Sequence, residues 1–506
     1  MGIQNIVSEF KRSDRKKFCF LAFYGLFLSL THAVRMIDNC IWADEALVVI
    51  ASRQTFSGML RYVASNGHTP FHYAFAWLCV KLFGESGFVY HLSATLPYFI
   101  LIAVSVLTVR RWFGFKTALL FITLCSLLDE AIVYNLEIRM YAWCQLFIIL
   151  TFLMFYKLYT EKEHRNRYYV LASVFSIAAV YSHYFALASI GLLYTVFFIY
   201  VLRTNIRNVW KVILSGIIVP VALVPWLIYT RSILGGVITD YKIYEEPWKI
   251  WYLYIFHFNK SGICSLALLL LFWASVFFAF SYDLDIVRFT REEGKNNFRI
   301  NHEMTGIKVK EIDIWMLSGI IGAFGTIVAS QIISEVLYPI TLLRYLYGSY
   351  ILLWFVFSIC LSKTKFSDIW VPLLVVCILL PGYKRCIDTI KIEQEKNRRM
   401  EGTLQSTSFQ MDENDFIYTD SVHFGWTLSE AFYPKTPHNV FGHPEWWGPN
   451  ELPVLDHEAD YWLFLSHPIS DDINQNLANQ GRKADIVVDR GFFGLEDMWI
   501  YKVVDE

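Results

Sequence analysis

Five separated segments of the chain carry side chains able to do chemistry: Asp44-Glu45, His68, Glu137 with Arg139 and Tyr141, Ser182-His183-Tyr184, and Arg344-Tyr345. A carboxylate such as Asp44 can take the proton of a hydroxyl held within hydrogen-bond reach, which is general-base chemistry. Arg139 and Arg344 offer planar forks of N–H donors that suit a phosphate, with Glu137 placed to orient Arg139. Each residue also has a plainer reading. Asp44-Glu45 suits the first turn of a helix, where the dipole favours acids by about 0.3–1 kcal/mol. Glu137 and Arg139 suit an interfacial ion pair or a snorkelling arginine. His68, in NGHTPFHY, can contact phosphate, ligate a metal or cap a turn, and His183, in an apolar stretch, is as readily a core residue as a ligand. Metal binding by His68, His72 and His183 is the weakest of these readings, with no HExxH spacing. The metal is left unknown, a divalent ion stays open, and no cofactor is assigned. There is no GxxxxGK[ST] and no GxGxxG, so the energy for any reaction comes from an activated donor or from a gradient.

These residues have to be positioned by membrane helices. Of 506 residues, 55% are hydrophobic, 17% aromatic and only 18% charged, against about 25% charged in soluble chains. Lys+Arg 44 against Asp+Glu 45 leaves a net charge of -1, which argues against a nucleic-acid partner. The nine cysteines are scattered, without CxxC, and read as small core residues. Charge-free runs at 18–34, 88–109, 140–156, 212–229, 261–282 and 314–334 each approach the ~20 residues that a bilayer core demands of a helix. Runs at 117–134 (with Asp129 and Glu130 near its far end), 345–361 and 366–383 are further spans. The stretch 168–202 has no Asp, Glu, Lys or Arg and is long enough for a helical hairpin folded near Ser182-His183. Together these predict about eleven transmembrane helices.

Cytoplasmic loops accumulate Lys and Arg. Lys11 to Lys17, Arg110-Arg111-Lys116, Lys157 to Arg167, and Arg203-Arg207-Lys211 alternate with cation-poorer loops, which puts the N-terminus in the cytoplasm and the C-terminus outside. The first run reads as a retained anchor. With that parity all five chemical segments fall at the outer membrane face, where an ionisable group is costly unless it pairs or lines a wet site.

Two soluble parts lie on that outer side. The first external loop, 35–87, carries DEALVVIASRQ and PFHYAFAWLCVKLFG, each with an apolar face at helical period, as interfacial helices have. The second part, 386–506, begins with the charged helical stretch KIEQEKNRRMEG. It then alternates strand-like runs (DFIYTD, DYWLFLSH, ADIVVD, MWIYKVV) with a helix, DDINQNLANQ, and so reads as a small α/β extracytoplasmic domain following a transmembrane domain over 1–385. The aromatic cluster HPEWWGPN within it is read chiefly as packing, with a sugar platform or a membrane-facing edge as the other readings. The segment 283–312 reads as a solvated connector.

In order and sidedness, IWADEA, NGHTPFHYAFAWLCVKLFGESG, RRWFGFKTAL, NLEIRMYAW and YSHYFA resemble the bacterial GT-C-type integral-membrane glycosyltransferases, nearest the protein mannosyltransferase and lipid A aminoarabinose transferase group. PITLLRYLYGSYILL is similar to that group's distal arginine segment. The resemblance implies that Asp44 is the general base and that Glu45 places the acceptor. It also implies that Arg139, Arg344 and His68 bind the phosphate of a polyprenyl-phosphate sugar. His68 precedes Thr69-Pro70 where relatives often have a Pro-Pro pair. Glu137, Tyr141, His183, Tyr184 and Tyr345 would support the site. The implied activity is transfer of a hexosyl- or pentosyl-type sugar to a hydroxyl of an envelope glycolipid, glycan or protein, with inversion, at the outer side of the inner membrane. The other readings are a transporter or flippase of a lipid-linked substrate, and a scaffold that binds a partner through 386–506.

Overall fold

The computed structural model of the protein describes residues 3–37, 40–161, 165–234, 255–283, 311–336, 341–408, 411, 414–421, 424, 428–441, 451–455, 460–494 and 496–505. The aromatic cluster HPEWWGPN and most of the 283–312 connector lie outside the described residues.

The chain is a multi-pass helical membrane protein. Its first helices are α1 (Ile3–Arg35), α2 (Ala43–Arg53), α3 (Phe56–Ser65), α4 (Phe71–Phe83), α5 (Gly87–Val104), α6 (Arg110–Phe113), α7 (Phe115–Leu127) and α8 (Asp129–Tyr134). There follow α9 (Tyr141–Thr160), α10 (Arg165–Ser182), α11 (Ala186–Thr204), α12 (Val209–Leu234), α13 (Gly262–Asp283), α14 (Glu311–Val336), α15 (Leu343–Lys363) and α16 (Ser367–Ser408). Among the described residues nine helical stretches are long and apolar enough to cross a membrane. Two further predicted spans correspond to helix α10, whose first turn is polar, and the 13-residue α7. A 13-residue helix is about 20 Å long, short for a hydrocarbon core of about 30 Å. Every residue of α7 from Thr117 to Leu127 is buried, so protein rather than lipid surrounds it. Helix α15 is buried continuously from Leu346 to Leu361 and packs against α7, α9, α13 and α14. The predicted hairpin forms as α10 and α11, turning at His183 to Phe185.

The segment 35–87 holds three helices, one more than the periodicity indicates. Thr55 caps α3 through its side-chain oxygen, which accepts from the Gly58 N–H. Helix α2 has no wet face. Leu47, Val48, Val49 and Ala51 pack on the membrane helices, while Ala43, Ala46 and Ile50 join the core of the C-terminal part. An apolar stripe alone predicts one buried face; the second is covered by chain that arrives more than 350 residues later, as in the contact of Cys40 with Met400.

Helix α16 is 42 residues long, about 63 Å. Its first part is long and apolar enough to cross a membrane, and it continues beyond as the charged stretch KIEQEKNRRMEG, so a division at 385/386 falls inside one helix. Beyond it stand β1 (Phe416–Thr419), α17 (Ser429–Phe432), β2 (His438–Val440), β3 (Tyr461–Leu465), α18 (Asp471–Ala478), β4 (Arg482–Phe493) and β5 (Glu496–Asp505). They form one sheet in the order β2-β1-β3-β5-β4, with β2, β1 and β3 parallel and β5 antiparallel to β3 and β4. Strand β2, only three residues, was not marked by any run of strand-forming residues. The β4–β5 turn docks this sheet onto the segment 35–87. Gly494 has φ 62°, and a Cβ there would stand 3.0 Å from both the Ile41 carbonyl oxygen and Trp42 Cα. Only glycine permits that approach.

Candidate active site

The N-terminus of α2 presents Asp44 and Glu45. Glu45 is 3% exposed; one of its oxygens accepts the Trp42 N–H at 3.2 Å and the other the Ile138 N–H at 2.7 Å. Burial raises its carboxyl pKa well above the usual range, with the charge of Glu137 adding to this and the two N–H bonds opposing it. Glu45 therefore ties the loop before α9 to the start of α2, and both its oxygens are committed to backbone; the acceptor-placing role that the family resemblance implies has no free oxygen here. Asp44 points the other way. Its Oδ2 accepts from Arg344 Nη1 at 2.6 Å, and its Oδ1 has no hydrogen-bond partner among the described residues.

Arg139 lies in the loop that Glu45 holds and is 2% exposed. Its Nη1 donates to the Asp44 carbonyl at 2.9 Å and to the Tyr73 hydroxyl at 3.2 Å, and its Nη2 lies 3.4 Å from His68 Nε2. A guanidinium only donates, so His68 accepts through Nε2. Burial, then the charges of Arg139 and Arg344, hold the His68 pKa well below its ordinary value, so the ring is neutral. His183 is held down to about 3 by burial and the same two arginines, and its Nδ1 accepts the Phe185 N–H. The Glu137 pKa is pushed up to about 7 by burial, against the pull of Arg139 and Arg344.

The remaining residues frame this centre. The His183 ring lies 5.8 Å from Tyr141 and 5.0 Å from Tyr345. The Arg344 guanidinium sits 5.8 Å from the ring centres of Trp42 and Tyr345. Tyr184 does not face the arginines: its hydroxyl donates to the His68 carbonyl at 3.5 Å, and Trp226 Nε1 donates to that same carbonyl at 3.1 Å and to the Tyr184 oxygen at 3.0 Å. Thr69 donates to the Ser182 carbonyl at 2.6 Å. These bonds pin the His68 loop to the turn between α10 and α11. The five segments singled out in the sequence all contribute to this one cluster. Tyr73, Trp42 and Trp226 carry no charge and were given no role from the sequence, although Trp42 stands in IWADEA and Tyr73 in NGHTPFHY. Their position is set by contacts from distant helices.

Buried polar atoms are nearly always hydrogen-bonded, yet four in this cluster lack a partner among the described residues: Arg139 Nε, Arg344 Nε, Glu137 Oε1 and the Tyr141 hydroxyl. Also among the described residues, no three His, Cys, Asp or Glu side chains are grouped as a metal site.

The fold is thus a helical membrane body with a polar cluster at one end of its spans and an α/β sheet docked beside that cluster. Residues 67–229 match the family model described as dolichyl-phosphate-mannose-protein mannosyltransferase. The fold is shared with ArnT from Cupriavidus metallidurans in the apo state, at 13% identity and a TM-score of 0.60, over 97% of this chain and 98% of that one. The structure of ArnT bound to undecaprenyl phosphate aligns at 14% identity and a TM-score of 0.59, over 96% and 97%. The comparison with curated protein sequences yields no match.

Proposed function

We propose that the protein transfers a sugar from a polyprenyl-phosphate donor to a hydroxyl of an acceptor on the outer side of the cell's inner membrane. Residues 1–385 would be the transferase body, with the N-terminus cytoplasmic and residues 386–506 extracytoplasmic. The observation that carries the reading is the convergence of Arg139 and Arg344, from distant segments, on Asp44, each keeping a buried Nε without a partner among the described residues. Two such guanidinium groups suit a phosphate monoanion that becomes a dianion as the sugar leaves. At the headgroup level a lipid-linked phosphate reaches them from the bilayer.

In the reaction, Asp44 Oδ1 takes the proton of the acceptor hydroxyl as its oxygen bonds to the anomeric carbon. The bond from that carbon to the phosphate oxygen breaks with its electron pair on the phosphate. Arg139 and Arg344 stabilise the added charge, and polyprenyl phosphate leaves. One displacement inverts the anomeric centre; the two-carboxylate chemistry of glycosidases is a separate route. His68, neutral, completes the Arg139 contacts. A transporter reading suits polar groups near the midplane of broken spans, whereas these groups stand at helix ends and in loops. The test uses purified protein in vesicles with radiolabelled polyprenyl-phosphate sugars and a membrane extract as acceptor. Labelled product that depends on Asp44 supports the reading; release of no sugar from any donor, with intact fold, rejects it.

A further inference from the structure

Arg139 and Arg344 are tied together at two levels. The upper tie runs through Asp44, whose carbonyl accepts from Arg139 Nη1 and whose Oδ2 accepts from Arg344 Nη1. The lower tie lies further into the helical body. Asn135, four residues before Arg139, donates from Nδ2 to the Cys125 carbonyl of α7 at 2.8 Å, and its Oδ1 accepts from the Tyr347 hydroxyl at 3.0 Å. A carbonyl only accepts, which turns the amide with its oxygen toward the phenol. Tyr347 follows Arg344 by three residues in α15, nearly one helical turn, or about 4.5 Å along the axis. Asn135 is 1% exposed and Tyr347 0%. Ring contacts run from Tyr347 through Tyr134, Tyr141 and His183 back to α15 at Tyr345, with centres 5.0, 5.3, 5.8 and 5.0 Å apart in turn.

We infer that Asn135 and Tyr347 are positioning residues of the donor site, and that their bond sets the spacing between the two guanidinium groups. The inference rests on the transferase reading above and adds two residues to it. The upper tie cannot hold that spacing through a reaction. Its carboxylate is the base itself, and a phosphate that draws Arg344 away from Asp44 opens it. The lower tie joins groups that are buried whether or not a phosphate is bound, so it outlasts the opening of the upper one. Inside a dry body a hydrogen bond is strengthened, and breaking it strands a buried acceptor. Asn135 is also held to α7, so the amide is a fixed post and not a swinging one. Two guanidinium groups serve one phosphate only when both present their N–H donors to its oxygens together. A slip of the Arg139 segment along α15 therefore costs the donor the joint contact, although each arginine keeps its charge.

The experiment titrates the purified full-length protein, held in phosphatidylcholine nanodiscs, with polyprenyl phosphate. It compares the parent, Tyr347→Phe, Arg344→Gln and the double variant, with melting temperatures measured beside them. Tyr347→Phe removes one oxygen and keeps the ring contacts. The expected result is that Tyr347→Phe weakens polyprenyl phosphate by about 3- to 30-fold, the usual range for a residue that acts through others. Arg344→Gln also weakens it. In the Arg344→Gln background, however, Tyr347→Phe changes affinity by no more than about twofold, because one guanidinium has no partner to be spaced from. A merely structural role predicts the same loss in both backgrounds. That outcome overturns the inference, as does unchanged affinity in Tyr347→Phe. Asn135→Ala breaks the same bond from its other end and must repeat the pattern; it carries the test should Tyr347→Phe not fold. Parent-like affinity in Arg344→Gln would sink the donor reading and this inference with it. A loss in Arg344→Gln beside an indifferent Tyr347→Phe sinks this inference alone.

Discussion

Asp44 and Arg344 lie 300 residues apart in sequence, and their side chains meet at 2.6 Å, Arg344 Nη1 donating to Asp44 Oδ2. Arg344 thereby engages one of the two oxygens of the proposed base. A phosphate arriving in the site competes for Arg344 and loosens that hold. Donor binding therefore prepares Asp44, and the donor should bind before the acceptor.

The first prediction follows from that competition. Asp44→Asn leaves Arg344 without its anion. Transfer should fall by about 10²–10⁴, the usual contribution of a general base, while polyprenyl phosphate binds at least as tightly as to the parent. Initial rates and equilibrium binding on the same preparation check both halves.

Arg139→Lys retains the charge and loses the fork that spans the Asp44 carbonyl, Tyr73 and His68. Hydrogen bonds to charged groups are worth about 1.5–3 kcal/mol. Polyprenyl phosphate affinity should drop by about 10- to 100-fold, read by titration. Unchanged affinity would remove Arg139 from the donor site.

Glu45→Ala cuts the tie between Ile138 and the start of α2 and leaves two buried N–H groups unsatisfied. The cost should be about 1–3 kcal/mol of stability for each N–H stranded, visible as a lower melting temperature. The kcat should fall more than donor affinity does, since Asp44 and Arg139 lose their mutual alignment.

Glu137, with a pKa pushed up to about 7, sets a pH limb on donor binding. Below that value it is neutral and leaves the charge of Arg139 and Arg344 to the phosphate; above it, the carboxylate offsets them. Affinity for polyprenyl phosphate should fall as pH rises through about 7. His68 and His183, both held neutral, contribute no step there. Glu137→Gln should flatten the limb, and a limb that persists in the variant would assign it to another group.

Gly494→Val places a branched side chain at φ 62° against the backbone of Ile41 and Trp42. The C-terminal sheet should separate from α2, seen as faster proteolysis between α16 and β1 and as reduced transfer.

Much of the architecture was legible in the chain itself. Charge-free runs mark spans because a helix in lipid can satisfy its backbone only internally and must be about as long as the core is thick. The hairpin at His183 and the strands β1, β3, β4 and β5 were legible from run length and period alone. The polar residues at span ends could be grouped on one side by counting crossings and loop cations. That count says which face a residue occupies, and it does not say what the residue touches.

Contacts were decided by the tertiary structure. Glu45 and Asp44 are neighbours of the same type, indistinguishable by composition. Folding turns one toward two backbone N–H groups and the other toward Arg344. Tyr73, Trp42 and Trp226 became part of the site only because distant helices pack beside it, and α2 lost its wet face only because the C-terminal sheet returns to cover it. Hydropathy and period are local properties, set by residues a few positions apart. The meeting of side chains hundreds of residues apart depends on how close-packed helices interlock, and no short window of sequence contains that information.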